Sequence, residues 1–91
     1  DEDYESGEGT NVGEVRLYYS DQKMVADFYT RRGYAFTGTN LYASHKKPHS
    51  CDPATFTEHH KFERRTIDRF SVYCNKFPVY IIAHANVVKT Q

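Results

Sequence analysis

The chain has 91 residues, which is enough for one domain with a single modest core and too few for two. Its 12 basic and 12 acidic residues cancel, but residues 1–14 hold six of the acidic residues and no Lys or Arg, so the remainder carries +6. No stretch approaches the roughly 20 apolar residues of a membrane span. An acidic tip on a basic body favours an anionic ligand, RNA first, although a solvated tail on a mixed surface has the same composition.

The first predicted elements are a tail and a strand. Residues 1–13 are acidic and contain three glycines, which predicts a flexible tail or arm, and residues 14–91 then form the single domain. Residues 15–19 alternate well enough to predict a short strand. Because the chain begins at Asp1 rather than Met, we expect a processed or trimmed product from which any signal peptide has been removed.

A helix is predicted next, between Ser20 and Gly33. Ser20 is a favourable N-cap, Asp21 suits the first helical turn, and Gly33 is a typical helix stop. Apolar residues recur between them at helical spacing, and we assign this stripe to the core: Met24, Val25, Phe28 and Tyr29.

Three segments lead to the last part of the chain. Residues 34–42 predict a strand interrupted at Gly38, and residues 43–54 predict a long basic loop. Residues 55–62 predict a central strand, and residues 63–66 turn the chain. One side of that strand carries Phe56, Glu58, His60 and Phe62.

Residues 68–88 predict a closing β-hairpin, because two alternating apolar runs flank a short loop at residues 75–78. With the loop centred in that segment, Arg69 and His84 are cross-strand partners about 5 Å apart on the wetter face. The opposite face is predicted to enter the core and carries Phe70, Val72, Cys74, Val79, Ile81 and Ala83.

This order of elements predicts an α+β fold. One α-helix in the N-terminal half would pack on a four- to five-stranded antiparallel sheet, because helices gathered on one side of an antiparallel sheet are typical of that class. The helix would cover one face of the sheet and leave the other for a ligand.

The two cysteines favour a single Cys51–Cys74 disulfide, since an even count in a small domain is typical of exported proteins. Closing a loop of that length would contribute about 3 kcal/mol in the chain-entropy model. The alternative is two reduced thiols, with Cys74 buried in the core of the hairpin.

Three side chains form a candidate catalytic set on the open face: Glu58, Arg69 and His84. A carboxylate, a guanidinium and an imidazole are the groups needed to cleave RNA without a metal. One group removes the 2′-hydroxyl proton, another protonates the departing 5′-oxygen, and the fixed cation stabilises the phosphoryl charge.

The segments 68–73 and 80–85 resemble the closing hairpin of the microbial guanyl-specific ribonucleases, the superfamily of barnase and the fungal ribonucleases. Residues 55–58 are similar to the strand that supplies the general base of that family. The resemblance implies that Glu58 is the base, His84 the acid and Arg69 the phosphate clamp. Glu63 is a competing candidate for the base.

The size and charge also resemble the secreted ribonuclease-like effectors of plant-pathogenic fungi, including the powdery mildews. That resemblance implies a monomeric virulence or avirulence factor that binds RNA, a host protein or an immune receptor, with catalysis weak or lost and no cofactor. The alternative is an active endoribonuclease or toxin that cleaves RNA through a 2′,3′-cyclic phosphate.

Basic and aromatic side chains outside the catalytic set are predicted RNA contacts, as phosphate ligands or base-stacking rings: Tyr42, His45, Lys46, Lys47, Arg64, Arg65, Tyr73 and Tyr80. A zinc-held module is a third class of function. Its ligand types are present, but their spacing is irregular and no metal is expected: His45, His49, Cys51, His59, His60 and Cys74.

Overall fold

The computed structural model describes residues 12–48, 50 and 52–90, and the side chain of residue 53 is not described. This part of the chain forms six β-strands and one turn of 3-10 helix at Pro53–Thr55. The strands are β1 Gly13–Ser20, β2 Lys23–Thr30, β3 Tyr34–Ser44, β4 Glu58–Arg65, β5 Ile67–Tyr73 and β6 Tyr80–Lys89. The predicted α+β class is therefore wrong, because no α-helix covers a sheet in these residues.

The strands form two three-stranded antiparallel sheets that enclose the core between them. Sheet A has the order β1-β2-β5, and sheet B has the order β4-β3-β6. Three of the connections therefore cross from one sheet to the other, after β2, after β4 and after β5. The antiparallel pairing was predicted, but its division between two sheets was not.

The predicted helix is strand β2, the central strand of sheet A. It pairs with β1 on one side and β5 on the other, so all its backbone ladder positions are used. Residues four positions apart lie on the same side of an α-helix, and they also lie on the same face of a β-strand. Here Ala26 and Phe28 face the core, while Asp27 faces outward.

The residues that were predicted to begin the helix form a hairpin turn between β1 and β2 instead. Asp21 and Gln22 have φ angles of 54° and 65°, the left-handed pair that a tight two-residue turn between antiparallel strands requires. Ser20 then pairs with Lys23 across the turn. The interpretation of Ser20 as an N-cap is wrong for that reason.

The predicted closing hairpin does not form. β5 pairs with β2, where Arg69 lies opposite Asp27, and β6 pairs with β3, where His84 lies opposite Asn40. The core face of each strand was nevertheless assigned correctly, since Phe70 and Cys74 are buried and Ile81 packs against the core. Alternation fixes which side chains face inward, whereas it says nothing about the partner strand.

The centre of the core is a set of three phenylalanine rings from both sheets. Phe28 meets Phe36 and Phe70 edge-to-face, with ring centroids 6.0 and 5.8 Å apart. Leu41 completes this cluster and is 2% exposed. Burying each large side chain contributes about 2–3 kcal/mol, so this contact layer holds the two sheets together.

The predicted strands at residues 15–19 and 34–42 are confirmed as parts of β1 and β3. The interruption at Gly38 is also confirmed, because the register of β3 against both neighbours shifts between Phe36 and Gly38. A Cβ atom at Gly38 would lie 3.3 Å from the carbonyl oxygen of His60. The bulge therefore brings the backbones of β3 and β4 close together at this point.

β4 was predicted to be a central strand, and it is an edge strand of sheet B. Cys74 is a free, buried thiol that donates to the carbonyl oxygen of Lys76 at 3.2 Å. Cys51 lies outside the described residues, and so do the predicted tail residues 1–11. In the part of the chain that is described, no helix is long and apolar enough to cross a membrane.

Candidate functional site

A buried carboxylate joins the two sheets. Asp68 of β5 is 7% exposed and points into the space between the layers. One of its oxygens, Oδ2, accepts hydrogen bonds from the hydroxyl of Thr39 on β3 at 2.5 Å and from Nδ1 of His60 on β4 at 2.7 Å. We call Thr39, His60 and Asp68 the cross-sheet cluster. It supplies the partners without which a buried charge is costly.

The imidazole of His60 is held on two sides. Its ring stacks on Phe70 at a centroid distance of 4.1 Å and an interplanar angle of 10°, while Nδ1 is anchored to Asp68. The side chain is 41% exposed. A ring that is fixed by a carboxylate and a flat contact presents its other nitrogen in a defined direction.

A second carboxylate is paired on the outer face of sheet A. Arg69 donates from Nε to one oxygen of Asp27 at 2.6 Å and from Nη2 to the other at 3.0 Å. The hydroxyl of Tyr18 donates to the same carboxylate at 3.3 Å and accepts from Arg69 at 3.1 Å. The hydrogen bonds from Arg69 hold the pKa of Asp27 below its ordinary value, against the opposing effect of burial. Asp27 in turn raises the pKa of Arg69.

An open groove of about 500 Å³ connects these two carboxylates. We call it the polar groove, and it is lined by Asp27, Tyr29, His60, Arg65, Ile67, Asp68 and Arg69. Nη1 of Arg65 lies 3.9 Å from Asp68, and its guanidinium lies 5.2 Å from the ring centre of Phe62. The groove therefore combines two guanidiniums, an anchored imidazole and the side chain of Tyr29.

The polar groove opens towards one end of the sandwich, where three chain segments meet. The connection after β2, the connection after β4 and the end of β6 are joined by backbone bonds from Thr30 to Thr66 at 3.0 Å and from Thr90 to Gly33 at 2.7 Å. We call the cations of these segments the basic end: Arg31, Arg32, Arg64, Arg65 and Lys89. All five are exposed.

The basic end carries an excess of positive charge, although Asp68 lies beside Arg65 and Glu14 lines a cleft with Arg31. Residues 31–34, 64–67 and 89–90 contain five cations and no Asp or Glu. The opposite, or far, end is formed by residues 21–22, 45–48, 50, 52–57 and 74–79, whose net charge is +1. β3 runs from Tyr34 to Ser44 between the two ends, so they are about 33 Å apart.

The predicted catalytic set is dispersed. Arg69 lies on the outer face of sheet A, where it is bonded to Asp27. His84 lies on the outer face of sheet B, where the amide of Asn40 donates to its Nδ1 at 3.1 Å. Glu58 begins β4 and pairs with Leu41. Stacked sheets are about 10 Å apart, so the core separates Arg69 from His84.

The outer face of sheet B instead carries a row of polar side chains. Asn40 lies between His84 and His59, and Nδ1 of His59 lies 2.8 Å from the side-chain oxygen of Asn40. Nε2 of His59 lies 2.8 Å from the carbonyl oxygen of Phe56. Both histidines therefore have bonded Nδ1 atoms within the sheet surface, and neither faces the polar groove.

The predicted RNA contacts divide between the two ends of the sandwich. Arg64 and Arg65 belong to the basic end, as the connection between β4 and β5 requires. The other six lie at or towards the far end, since they follow or pair with the C-terminal part of β3 or end β5: Tyr42, His45, Lys46, Lys47, Tyr73 and Tyr80. All eight predicted residues could contact the same RNA only if one RNA strand ran from one end of the sandwich to the other.

Sequence reasoning missed the contributions of Asp27, Thr39 and Asp68. A signal for Asp27 was present, because a single carboxylate inside the apolar run at residues 24–29 needs a buried partner. His60 was assigned to the same side as Phe62, and the ring contact between them at 6.2 Å confirms that side. Its bond to Asp68 depends on two sheets meeting, which no local pattern encodes.

Metal ligation finds no support in the described residues. No group of three or more His, Cys, Asp or Glu side chains among residues 12–48, 50 and 52–90 could hold a metal ion. His49 and Cys51, which the zinc alternative would use, lie outside the described residues.

Comparison of the chain with protein-family models, with curated proteins and with solved structures found no match. The resemblance to the microbial ribonucleases stays a prediction. The helix on a single sheet that the order of elements predicted is wrong, as the two sheets and the strand at Lys23–Thr30 show.

Proposed function

We propose that this chain is a binding module that holds single-stranded RNA at the basic end and along the polar groove. The observation that carries the proposal is the convergence of five exposed cations from three chain segments, without an acidic residue among those segments. Phosphate contacts supply most of the affinity of such modules, and clustered Arg and Lys are their electrostatic footprint.

Aromatic side chains beside the cations favour RNA over a simpler polyanion. Tyr29 and Tyr34 line the clefts at this end, and the ring of Phe62 lies beneath Arg65. Single-stranded nucleic acids bind through cationic grooves that also offer rings for base stacking. A sulfated glycan would use the cations alone.

The chemistry of cleavage has no corresponding support. The three residues of the predicted catalytic set lie on different surfaces, so a base, an acid and a phosphate clamp do not converge on one scissile bond. Binding is therefore the function that the geometry favours. Secretion and a host protein or immune receptor as partner stay predictions.

Fluorescence anisotropy with a labelled single-stranded RNA tests the proposal. The double variant Arg64→Ala/Arg65→Ala should weaken binding at least tenfold, whereas Lys46→Ala/Lys47→Ala, which removes the same charge at the far end, should change it less than twofold. Equal losses in both variants would refute a localised site, and heparin binding without RNA binding would assign the surface to sulfated glycans.

A further inference from the structure

We propose that the polar groove contains a phosphate subsite formed by Nε2 of His60 and the guanidinium of Arg65, and that the subsite binds when His60 is protonated. This rests on the proposed function only in that one phosphate of the RNA would be its ligand. The subsite itself is testable with inorganic phosphate, independently of RNA.

The first support is the fixed orientation of the imidazole. Its stacking on Phe70 and its bond to Asp68 hold the ring before any ligand arrives. Among the described residues, Nε2 makes no hydrogen bond, although the ring lines the groove. Since Nδ1 carries the proton donated to the carboxylate, Nε2 becomes a donor only when the ring is cationic. It would then make a charge-assisted bond to a phosphate oxygen.

The second support is the position of Arg65. Its Nη1 lies 3.9 Å from Oδ1 of Asp68, while Oδ2 of the same carboxylate holds His60. The imidazole and the guanidinium therefore flank one carboxylate, and the Arg65 side chain is 57% exposed. The planar guanidinium leaves further N–H groups for a phosphate, whose oxygens it fits in a forked geometry.

The third support is the charge balance of the groove. Asp27 and Tyr29 face it from β2, Asp68 and Arg69 from β5, and Arg65 from β4. The two carboxylates cancel the two guanidiniums, so protonation of His60 changes the formal charge of the groove from zero to +1. Because lower pH favours the cationic ring, phosphate should bind more tightly in acidic than in alkaline solution.

NMR titration of the wild-type protein with sodium phosphate tests the subsite. At about pH 5.5 the Cε1–H signal of His60 and the Nε–H signal of Arg65 should shift and saturate together. At about pH 8 the apparent affinity should be at least about tenfold weaker, the fold-change that corresponds to one charge-assisted hydrogen bond. Shifts of equal size and affinity at both pH values, or none at His60, would overturn the proposal.

The variant His60→Asn sharpens the test, because its amide nitrogen can replace Nδ1 towards Asp68 but nothing replaces Nε2. We expect it to abolish the pH-dependent shift at Arg65, whereas His45→Asn at the far end should retain it. If the variant does not fold, the wild-type titration alone decides. RNA binding without the phosphate response would refute the subsite and leave the RNA proposal standing, and the reverse result would refute the RNA proposal only.

Discussion

Nδ1 of His60 donates across 2.7 Å to the carboxylate of Asp68, and this contact ties sheet B to sheet A at the edge where β4 leads into β5. The connection between the two strands is a single residue, Thr66. The same pair thus closes one side of the core and orients the ring that faces the polar groove. Stability and the candidate site depend on the same two residues.

Removal of this carboxylate should destabilise the fold. Asp68→Ala leaves the buried hydroxyl of Thr39 and Nδ1 of His60 without their acceptor, which should cost about 2–4 kcal/mol of unfolding free energy. Urea denaturation followed by circular dichroism measures it. Glu63→Ala, an exposed carboxylate on β4, is the control and should change the stability by less than about 0.5 kcal/mol. Similar effects in both variants would contradict the bridging role.

The ion pair on the outer face of sheet A predicts a particular pH dependence. Because the folded pKa of Asp27 is lowered, its contribution to stability is complete above the ordinary Asp value of about 3.9 and is lost as pH falls through the lowered value. Arg69→Gln should raise the pKa of Asp27, as read from its side-chain carbon by NMR. Arg16→Gln, whose charge acts on Asp27 without a hydrogen bond, should raise it less. A larger effect of Arg16 would contradict the assigned cause.

The turn between β1 and β2 offers a stabilising substitution. Gln22 has a φ of 65°, which a residue with a Cβ adopts at a cost, so Gln22→Gly should raise the unfolding free energy by about 0.5–1 kcal/mol. Thermal melts would detect the difference. The same change one residue later, Lys23→Gly, enters strand β2 and should lower stability instead. A gain in both would show that the turn geometry is not the cause.

The salt dependence of RNA binding should report how many cations of the basic end contact phosphates. Each cation that touches a phosphate contributes about 0.7 to the slope of log affinity against log salt for a single strand. Arg31→Gln and Lys89→Gln should each reduce the slope by up to that amount. Lys23→Gln, beside the turn at the far end, should leave the slope unchanged. An identical slope in all three variants would place the RNA elsewhere.

Arg69 and His84 provide a direct test against the predicted catalytic set. Because they lie on the outer faces of different sheets, Arg69→Gln and His84→Ala should change the unfolding free energy additively in a double-mutant cycle. Arg69→Gln and Asp27→Asn should be strongly non-additive in the same assay, since the two side chains share two hydrogen bonds. Non-additive effects of Arg69→Gln and His84→Ala would contradict this separation and support the predicted closing hairpin.

The segments whose side chains alternate were predicted well. Residues 15–19 and 34–42 are strands, Gly38 marks the bulge, and Phe70 and Cys74 are buried as expected. These features depend on nearest neighbours along one strand, which the order of residues specifies directly. The helix prediction is wrong because the spacing of four residues between Met24 and Phe28 fits the periodicity of a strand as well as that of a helix.

The candidate site was the least predictable part. The side of the strand that carries His60 was predicted, but its only predicted role was as a ligand type of the zinc alternative. Arg69 and His84 were paired on the assumption that neighbouring strands in sequence are neighbours in the sheet. That assumption holds for β1 and β2 and fails for β5 and β6. The connection at residues 74–79 is as short as a hairpin loop, yet it crosses between sheets.

The sequence by itself determined which side chains of β5 and β6 face inward and how charge divides between residues 1–14 and the remainder, because both follow from the local order of residues. The tertiary structure alone decided the partners of each strand, and with them the meeting of Asp68 with His60 and the separation of Arg69 from His84. The physical reason is that backbone pairing is chemically the same for every strand, so only the fit of the whole core selects among pairings.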